Sequence, residues 1–266
     1  MSAMTLLRQL GRRHGAALLL LAAGGAFFQW AITRVVPEAS QTGFVRQLFD
    51  MAPMPVRVLF GEELIANLSA RGFLGFGYVH PFALILLGIW AVRVATGALA
   101  GEIGRGTMDL IASRPVTRSA QVAAAAVAVF AGLAIISAAA WGGTALGLAR
   151  RPLEGVAAAD LLPVAAMGLL LFSCAGAVAL LISARSRESG PAVSWCAGLL
   201  ATSYVLDYLA RVWSAIAFLR PLSLFRYYEP QRILREGVAG ADLAVLGVVG
   251  AAALALAFVS FGRRDL

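Results

Sequence analysis

The sequence predicts an all-α integral membrane protein, a bundle of about six transmembrane helices with a short cytoplasmic helix between the second and third spans. Of its 266 residues, 60% are hydrophobic and 14% are charged, whereas soluble globular domains are about 25% charged. A charged segment, residues 102–118, separates two long apolar runs. Intervals of at least 18 residues without Asp, Glu or Arg occur at 15–33, 72–92, 119–149, 161–184, 189–206 and 243–262.

The length of these intervals favours membrane-spanning helices. A helix needs about 20 apolar residues to cross a hydrocarbon core of about 30 Å, and only helices and closed barrels satisfy their backbone groups in lipid. Barrel strands would be about 10 residues long with alternating polarity, but these runs are apolar throughout. We therefore expect one transmembrane domain, residues 1–266, with an outside segment at 36–71. The predicted spans are 15–35, 72–100, 119–148, 161–184, 189–210 and 243–262.

The first span is predicted to be retained and to enter from the cytoplasm. Arg8, Arg12 and Arg13 precede it, and its apolar run is longer than a signal peptide's and lacks a cleavage pattern. Six spans then return the C-terminus to the cytoplasm. This topology divides the 22 arginines equally between the two sides, so the orientation rests on the three that precede the first span.

The basic residues of this chain are all arginine, with no lysine. A P-loop needs a lysine at the nucleotide phosphates, so this chain is not expected to be a conventional P-loop ATPase. Any ATP and Mg²⁺ are expected to be bound by a partner, with no cofactor on this chain. The sequence has no basic face with interleaved aromatic residues, so it does not predict nucleic-acid binding. Its arginines favour contact with membrane lipid head groups. Cys174 and Cys196 fall within spans and are expected to be packed apolar residues.

Residues 102–118, EIGRGTMDLIASRPVTR, are the most informative segment. Glycines up to Gly104 are expected to end or bend the second span, and residues 107–113 fit about two helical turns. Pro115 then interrupts the helix, Thr117 caps the next one, and Arg118 anchors it at the head groups. The residues alone slightly favour an ordinary polar turn between spans; the alternative is a short surface helix that a docked soluble subunit can push.

Two outside connections carry further structure. Residues 56–69 have an apolar helical stripe after two prolines, which predicts an interfacial amphipathic helix. The second connection, residues 214–242, contains Tyr227 and Tyr228, side chains that suit a membrane–water boundary.

Single residues within the spans also lead to expectations. His80 precedes Pro81, which predicts a kink with a packed or hydrogen-bonded histidine rather than a ligand. Arg93 is a charge in or near the second span, best satisfied by reaching the head groups. The i, i+4 spacing of Asp207 and Arg211 predicts an ion pair. Gly143 and Gly147 form a small-xxx-small step that allows close helix packing.

Several residues of the central segment carry a resemblance to a known family. The pattern resembles the cytoplasmic loop of type-two ATP-binding-cassette (ABC) permeases, in which E, GT, an acidic–Leu–Leu stretch and a Pro before Ser-Arg recur. Met108 and Thr117 depart mildly from that pattern. The ending FGRRDL also resembles the family's ending, and the likeness is closest to the branch with the nitrous oxide reductase maturation permease. The matching residues are Glu102, Gly106, Thr107, Asp109, Leu110, Arg114, Pro115, Thr117 and Arg118.

The resemblance implies a non-catalytic subunit of an exporter in the bacterial inner membrane, with both termini cytoplasmic. Two ABC ATPase subunits and a second copy of the permease would be its partners, with an extracytoplasmic protein as a further one. The segment 102–118, including Arg105, would couple to the ATPase, and the turn formed by Arg185, Arg187 and Glu188 would be a second contact. Substrate would pass near the permease dimer interface.

Other classes of function remain as alternatives. An ion-coupled secondary carrier would need ionisable residues near the midplane and an internal repeat. An integral membrane enzyme would need a cluster of convergent polar groups. A structural anchor would need none of these features. The sequence contains no repeat and only two histidines, and no pattern in it identifies a substrate.

Overall fold

A computed structural model describes residues 3–41, 51, 53, 69–106 and 117–264. The described residues contain no strand, and six of their helices are long and apolar enough to cross a membrane. The predicted all-helical bundle with six spans is therefore confirmed. The short helix predicted at 107–113 and nearly all of the amphipathic helix predicted at 56–69 lie outside the described residues.

Successive spans run in opposite directions, so that contacts join alternating helix ends at each side of the bundle. Three 3₁₀ turns lie at Ala158–Leu161, Ser214–Leu222 and Leu224–Tyr227. Helices α2 and α3 together form the second span. The helices are α1 (Ala3–Gln41), α2 (Ala70–Val79), α3 (Pro81–Ala98), α4 (Ala100–Gly104), α5 (Arg118–Arg150), α6 (Leu162–Arg185), α7 (Ser189–Val212), α8 (Pro230–Glu236) and α9 (Gly240–Gly262).

Helix α6 lies at the centre of the bundle. It packs against α3, α5 and α9 and is the most buried of the six spans. Phe172, Leu171 and Leu180 are among its fully buried side chains. Helix α1 lies to one side and packs chiefly along α5. Helix α5 therefore packs between α1 and the central helix α6.

The second span is interrupted at His80, as the His-Pro sequence predicted. His80 has an extended backbone (φ −58°, ψ 136°), and its Nδ1 accepts a hydrogen bond of 3.2 Å from the Phe82 backbone N–H. Its ring packs against Phe28, with the ring centroids 5.0 Å apart. The expectation of a packed, hydrogen-bonded histidine is confirmed.

A second interruption, at Leu99, separates α3 from α4. The span predicted to run to residue 100 instead ends at Ala98. Leu99 adopts φ −115° and ψ −72°, and the backbone N–H of Ala100 donates to Ser183 Oγ at 3.0 Å. Because the Ser183 hydroxyl also donates to Thr96 O at 3.4 Å, one side chain of α6 satisfies both sides of the break.

One tyrosine of the second connection is a core residue. Tyr228 is buried, and its hydroxyl donates to Tyr78 O at 3.4 Å. It occupies the space beside Gly168, where an added Cβ would lie 2.9 Å from Tyr228 Oη. The position of Tyr227 and Tyr228 at a membrane–water boundary stays a prediction.

Close packing between α1 and α5 depends on two glycines. A Cβ added at Gly143 would lie 2.0 Å from Ala26 O, and one at Gly147 would lie 2.1 Å from Thr33 Oγ1. The small-xxx-small prediction is confirmed, since only a residue without a side chain allows α1 to approach this closely.

We expect Gly143→Ala to destabilise the protein, because its methyl group would force α1 away from α5. Overpacking of about 1–3 kcal/mol corresponds to a Tm lower by about 5 °C. Differential scanning fluorimetry of the detergent-solubilised protein measures the change. Gly142→Ala is the matched control, because a Cβ there meets no atom within 4 Å. Equal Tm values for the two variants would contradict the packing role.

Candidate functional site

The predicted coupling residues that the structure describes gather at one end of the bundle, here called the Glu102 end. This end contains Arg13, the α4 segment with Glu102, the start of α5, the α6–α7 turn and Arg264 after α9. The alternating direction of the spans brings these segments together although they are far apart in the sequence. The predicted site residues found here are Glu102, Arg105, Gly106, Arg118, Arg185, Arg187 and Glu188.

Glu102 forms two ion pairs through the same carboxylate oxygen. Arg13 Nη1 donates to Glu102 Oε1 at 2.6 Å, and Arg105 Nη2 donates to the same oxygen at 2.5 Å. The Glu102 side chain is only 15% exposed, whereas those of Arg13 and Arg105 are over 40% exposed. Glu102 therefore fastens the short helix α4 to α1 and leaves two guanidinium groups at the surface.

The α6–α7 turn lies directly against α4. A Cβ added at Gly104 would lie 3.3 Å from Arg187 O and 3.4 Å from Glu188 Cα. Arg185 Nε donates to Ser260 Oγ at 3.2 Å, which joins the turn to α9. The side chains of Arg185, Arg187 and Glu188 are exposed, so this turn and α4 form one continuous surface.

The residues after α9 connect three helix ends. Arg264 Nη1 donates to Ala184 O at 2.9 Å and to Ser186 O at 2.7 Å. Arg118 Nη1 donates to Gly262 O at 3.2 Å and to Arg264 O. The Arg118 guanidinium binds these carbonyls because the end of α9 brings acceptors without an intrahelical partner within its reach. Its contact with head groups stays a prediction.

Burial lowers the pKa of Arg264, and the positive charge of Arg187 lowers it further. The guanidinium still carries its proton at neutral pH, since the ordinary pKa of arginine exceeds about 12. Arg264 therefore keeps the donors that hold the ends of α6 and α9 together.

Local sequence explains how the segment enters and leaves this end. Gly106 has a φ of +69°, a left-handed conformation that glycine adopts without strain, and its N–H donates to Ile103 O at 2.9 Å. Thr117 caps α5 as predicted, because its side chain accepts from Ala120 N at 3.2 Å. The remaining predicted site residues, Thr107, Asp109, Leu110, Arg114 and Pro115, lie outside the described residues.

A groove of about 720 Å³ runs between α3 and α7 and is here called the central groove. Its α3 wall extends from Pro81 to Gly97, about 24 Å at 1.5 Å per residue. Phe172 and Phe225 also line it. The wall is mostly apolar, with Arg13, His14 and Arg93 at the Glu102 end.

The central groove was not predicted from the sequence. Its α3 residues recur every three or four positions from 81 to 97, and those of α7 do so from Ser189 to Tyr204. Each set forms one face of a helix. In spans that are apolar on every side, however, the sequence does not show which faces meet.

A cluster of ion pairs closes the opposite end of the bundle and is here called the Asp207 cluster. Arg211 donates to Asp207 Oδ2 at 2.9 Å from Nε and 2.6 Å from Nη2, as their spacing predicted. Arg220 Nε donates to Asp207 Oδ1 at 2.9 Å, and its Nη2 pairs with Glu229. Three arginines face three carboxylates, so the cluster is neutral. Its members are Asp207, Arg211, Arg220, Glu229, Arg232 and Asp242.

Arg220 is the centre of the Asp207 cluster. Burial lowers the pKa of its guanidinium, but the hydrogen bonds and charges of Asp207 and Glu229 raise it more, so its pKa lies above the ordinary value. Charge-assisted pairs of this kind are the stronger class of hydrogen bond. The cluster therefore connects α7, the 3₁₀ turn Ser214–Leu222, α8 and α9 at one end.

The described residues show the ionisable and thiol groups on which the alternative functions would depend. They contain no group of three His, Cys, Asp or Glu side chains placed to hold a metal. The acids within the spans, Asp160, Asp207 and Asp242, all lie towards helix ends and pair with arginines. Both cysteines are free and buried.

An all-helical bundle of six spans with an apolar groove along its length is the architecture of a membrane permease. Residues 16–266 match the family model described as ABC-2 family transporter protein. The chain therefore belongs to the ABC-2 transporter family, whose members are membrane permease subunits that work with an ABC ATPase. No curated protein matches the sequence.

We expect Arg220→Gln to lower the stability of the protein by about 1–3 kcal/mol, because it leaves partly buried carboxylates without their charged partner. Thermal unfolding in detergent measures the effect. Arg151→Gln is the matched control, since Arg151 is exposed and pairs with no acid among the described residues. Unchanged stability of Arg220→Gln would show that Arg211 and Arg232 suffice to hold the cluster.

Proposed function

We propose that this chain is the non-catalytic membrane subunit of an ABC exporter and that the Glu102 end docks the ATPase. Two permease chains and two ATPase chains make up the proposed transporter. ATP and Mg²⁺ bind the ATPase alone, and its closure moves the Glu102 end, which shifts the spans around the central groove.

The observation that carries this proposal is the joining of two predicted contacts into one surface. The α4 segment and the Arg185–Glu188 turn touch at Gly104. Arg105, Arg187 and Glu188 are exposed there, so a partner can reach both segments at once. Glu102 fastens this surface to α1 and Ser183 fastens it to α6, so a push at the surface would reach two spans directly.

The central groove supports a substrate path. It covers about 24 Å of helix axis, most of a hydrocarbon core of about 30 Å. Helix α7 borders it and exposes Trp195, Leu199 and Val205 on its other faces. We place the second permease copy against α7, where it would close the groove into a path at the dimer interface.

The proposed location is the bacterial inner membrane, with the Glu102 end and both termini in the cytoplasm. Arg12 and Arg13 at the start of α1 support this orientation through the positive-inside rule. Assignment to the branch with the nitrous oxide reductase maturation permease rests on the 102–118 pattern and the FGRRDL ending. In that setting the exporter would also contact an extracytoplasmic protein.

Substitution of Glu102 tests the docking surface. We expect Glu102→Gln to weaken co-purification with a co-expressed ABC ATPase partner, or to lower coupled ATP hydrolysis, by about tenfold, because it frees α4 from α1. The measurement compares ATPase recovered per permease and its turnover in nanodiscs.

Glu154→Gln is the matched control for that experiment. Glu154 is an exposed acid in the α5–α6 connection at the opposite end, and its loss should leave assembly and hydrolysis unchanged. Arg118→Ala, measured alongside, should also reduce coupling, with Tm recorded to separate unfolding from uncoupling. Wild-type assembly and turnover in both Glu102→Gln and Arg118→Ala would overturn the proposal.

A further inference from the structure

The central groove has one positively charged end and one apolar end, a difference that plays no part in the proposed coupling to the ATPase. We infer that it binds a single-chain amphiphile with an anionic head group, whose head lies at Arg93 and His14 and whose tail extends towards Phe225. The inference rests on the proposed function, since it assigns a substrate class to the proposed path.

The two ends of the groove differ in charge. Arg13, His14, Arg93 and Ser189 line it at the Glu102 end. Thr96 also lies at this end, and its hydroxyl is committed to Val92 O at 2.8 Å. Beyond Arg93 the walls are almost entirely aliphatic and aromatic. A ligand that follows this pattern has one polar end and a long apolar remainder.

The polar end carries an excess of positive charge. Arg13 and Arg105 share the single carboxylate of Glu102. Arg93 is exposed and forms no ion pair within residues 69–106 or elsewhere in the described parts of the chain. These three guanidinium groups therefore outnumber the described carboxylates at this end, those of Glu102 and of Glu188, which is exposed in the adjoining turn. A concave site with low-dielectric walls concentrates the remaining positive potential on a bound anion.

His14 provides an independent indication of a ligand. It lines the groove and is only 6% exposed, yet neither ring nitrogen has a hydrogen-bond partner among the described residues. Buried polar atoms in folded proteins are nearly always hydrogen-bonded. An oxygen of an anionic head group held by Arg93 would accept a hydrogen bond from this ring.

The size and shape of the groove favour a single chain. At the liquid volume of about 30 Å³ per water-sized group, the cavity of about 720 Å³ holds about two dozen heavy atoms. Ile85, Ile89 and Val193 line its sides, so the site is a channel between two helix faces. A sugar would leave its hydroxyls unpaired there, and a cationic compound would be repelled by the arginines.

The test uses the full-length chain in phosphatidylcholine nanodiscs, titrated with cis-parinaric acid and, separately, with the uncharged alcohol of the same chain. Polyene fluorescence reports burial of the tail, with empty nanodiscs as the baseline. We expect the wild type to bind the acid about tenfold more tightly than the alcohol, because a charge-assisted contact is worth about one decade in affinity.

Two substitutions separate the head site from the tail site. Arg93→Gln should weaken acid binding about tenfold and leave alcohol binding unchanged, since only the acid uses the charge. Ala197→Phe should weaken both probes, because the ring fills the tail region beside Val193. Arg151→Gln, far from the groove, is the control and should change neither affinity.

Three results would overturn the inference: equal affinity of the wild type for the two probes, unchanged acid binding in Arg93→Gln, or loss of acid binding when the nanodiscs contain phosphatidylglycerol. The last result would assign the groove to a bilayer phospholipid. Probe binding is measured without an ATPase. If the acid does not bind while ATPase association and coupled hydrolysis are intact, only the proposed substrate class is refuted. Binding without any ATPase association refutes only the proposed function.

Discussion

The need to satisfy every backbone polar group inside an apolar layer governs this bundle. The second span is broken twice, and each break would leave N–H groups unpaired in a medium without water. At His80 the side chain of the same residue accepts the free N–H. At Leu99 the acceptor is Ser183, on the central helix α6. The position of α4, and with it of Glu102, therefore depends on a hydroxyl group from another span.

The two ends of the bundle solve the problem of charge in different ways. The Asp207 cluster pairs three arginines with three carboxylates, so that end is internally neutral and cross-linked. At the Glu102 end one carboxylate serves two arginines, while others bind backbone carbonyls. Much positive charge there has no described acidic partner. Such an end suits contact with acidic surfaces or ligands, whereas the neutral end suits a structural closure.

Local features of the sequence predicted the spans, one helix cap, one ion pair and one close helix contact. Long apolar runs, the Thr117 cap, the Asp207–Arg211 spacing and the Gly143/Gly147 step each depend on residues within one turn or one helix. The contacts that the sequence did not reveal join distant segments: Ser183 with Ala100, Arg264 with Ala184, and Arg118 with the end of α9. Spans that are apolar on all sides carry no periodic signal for their neighbours, so the central groove was not predictable.

Residues 262–264 supply the groups that hold two other helix ends. Their carbonyls bind Arg118 at the start of α5, and the Arg264 guanidinium binds the end of α6. During synthesis these residues leave the ribosome after all six spans, and chains generally acquire structure from the N-terminus onwards. The hydrogen bonds at the start of α5 and the end of α6 can therefore form only after the last turn of α9 has been synthesised. The surface at the Glu102 end would thus be completed last, which delays its availability to any partner until the whole bundle has been inserted.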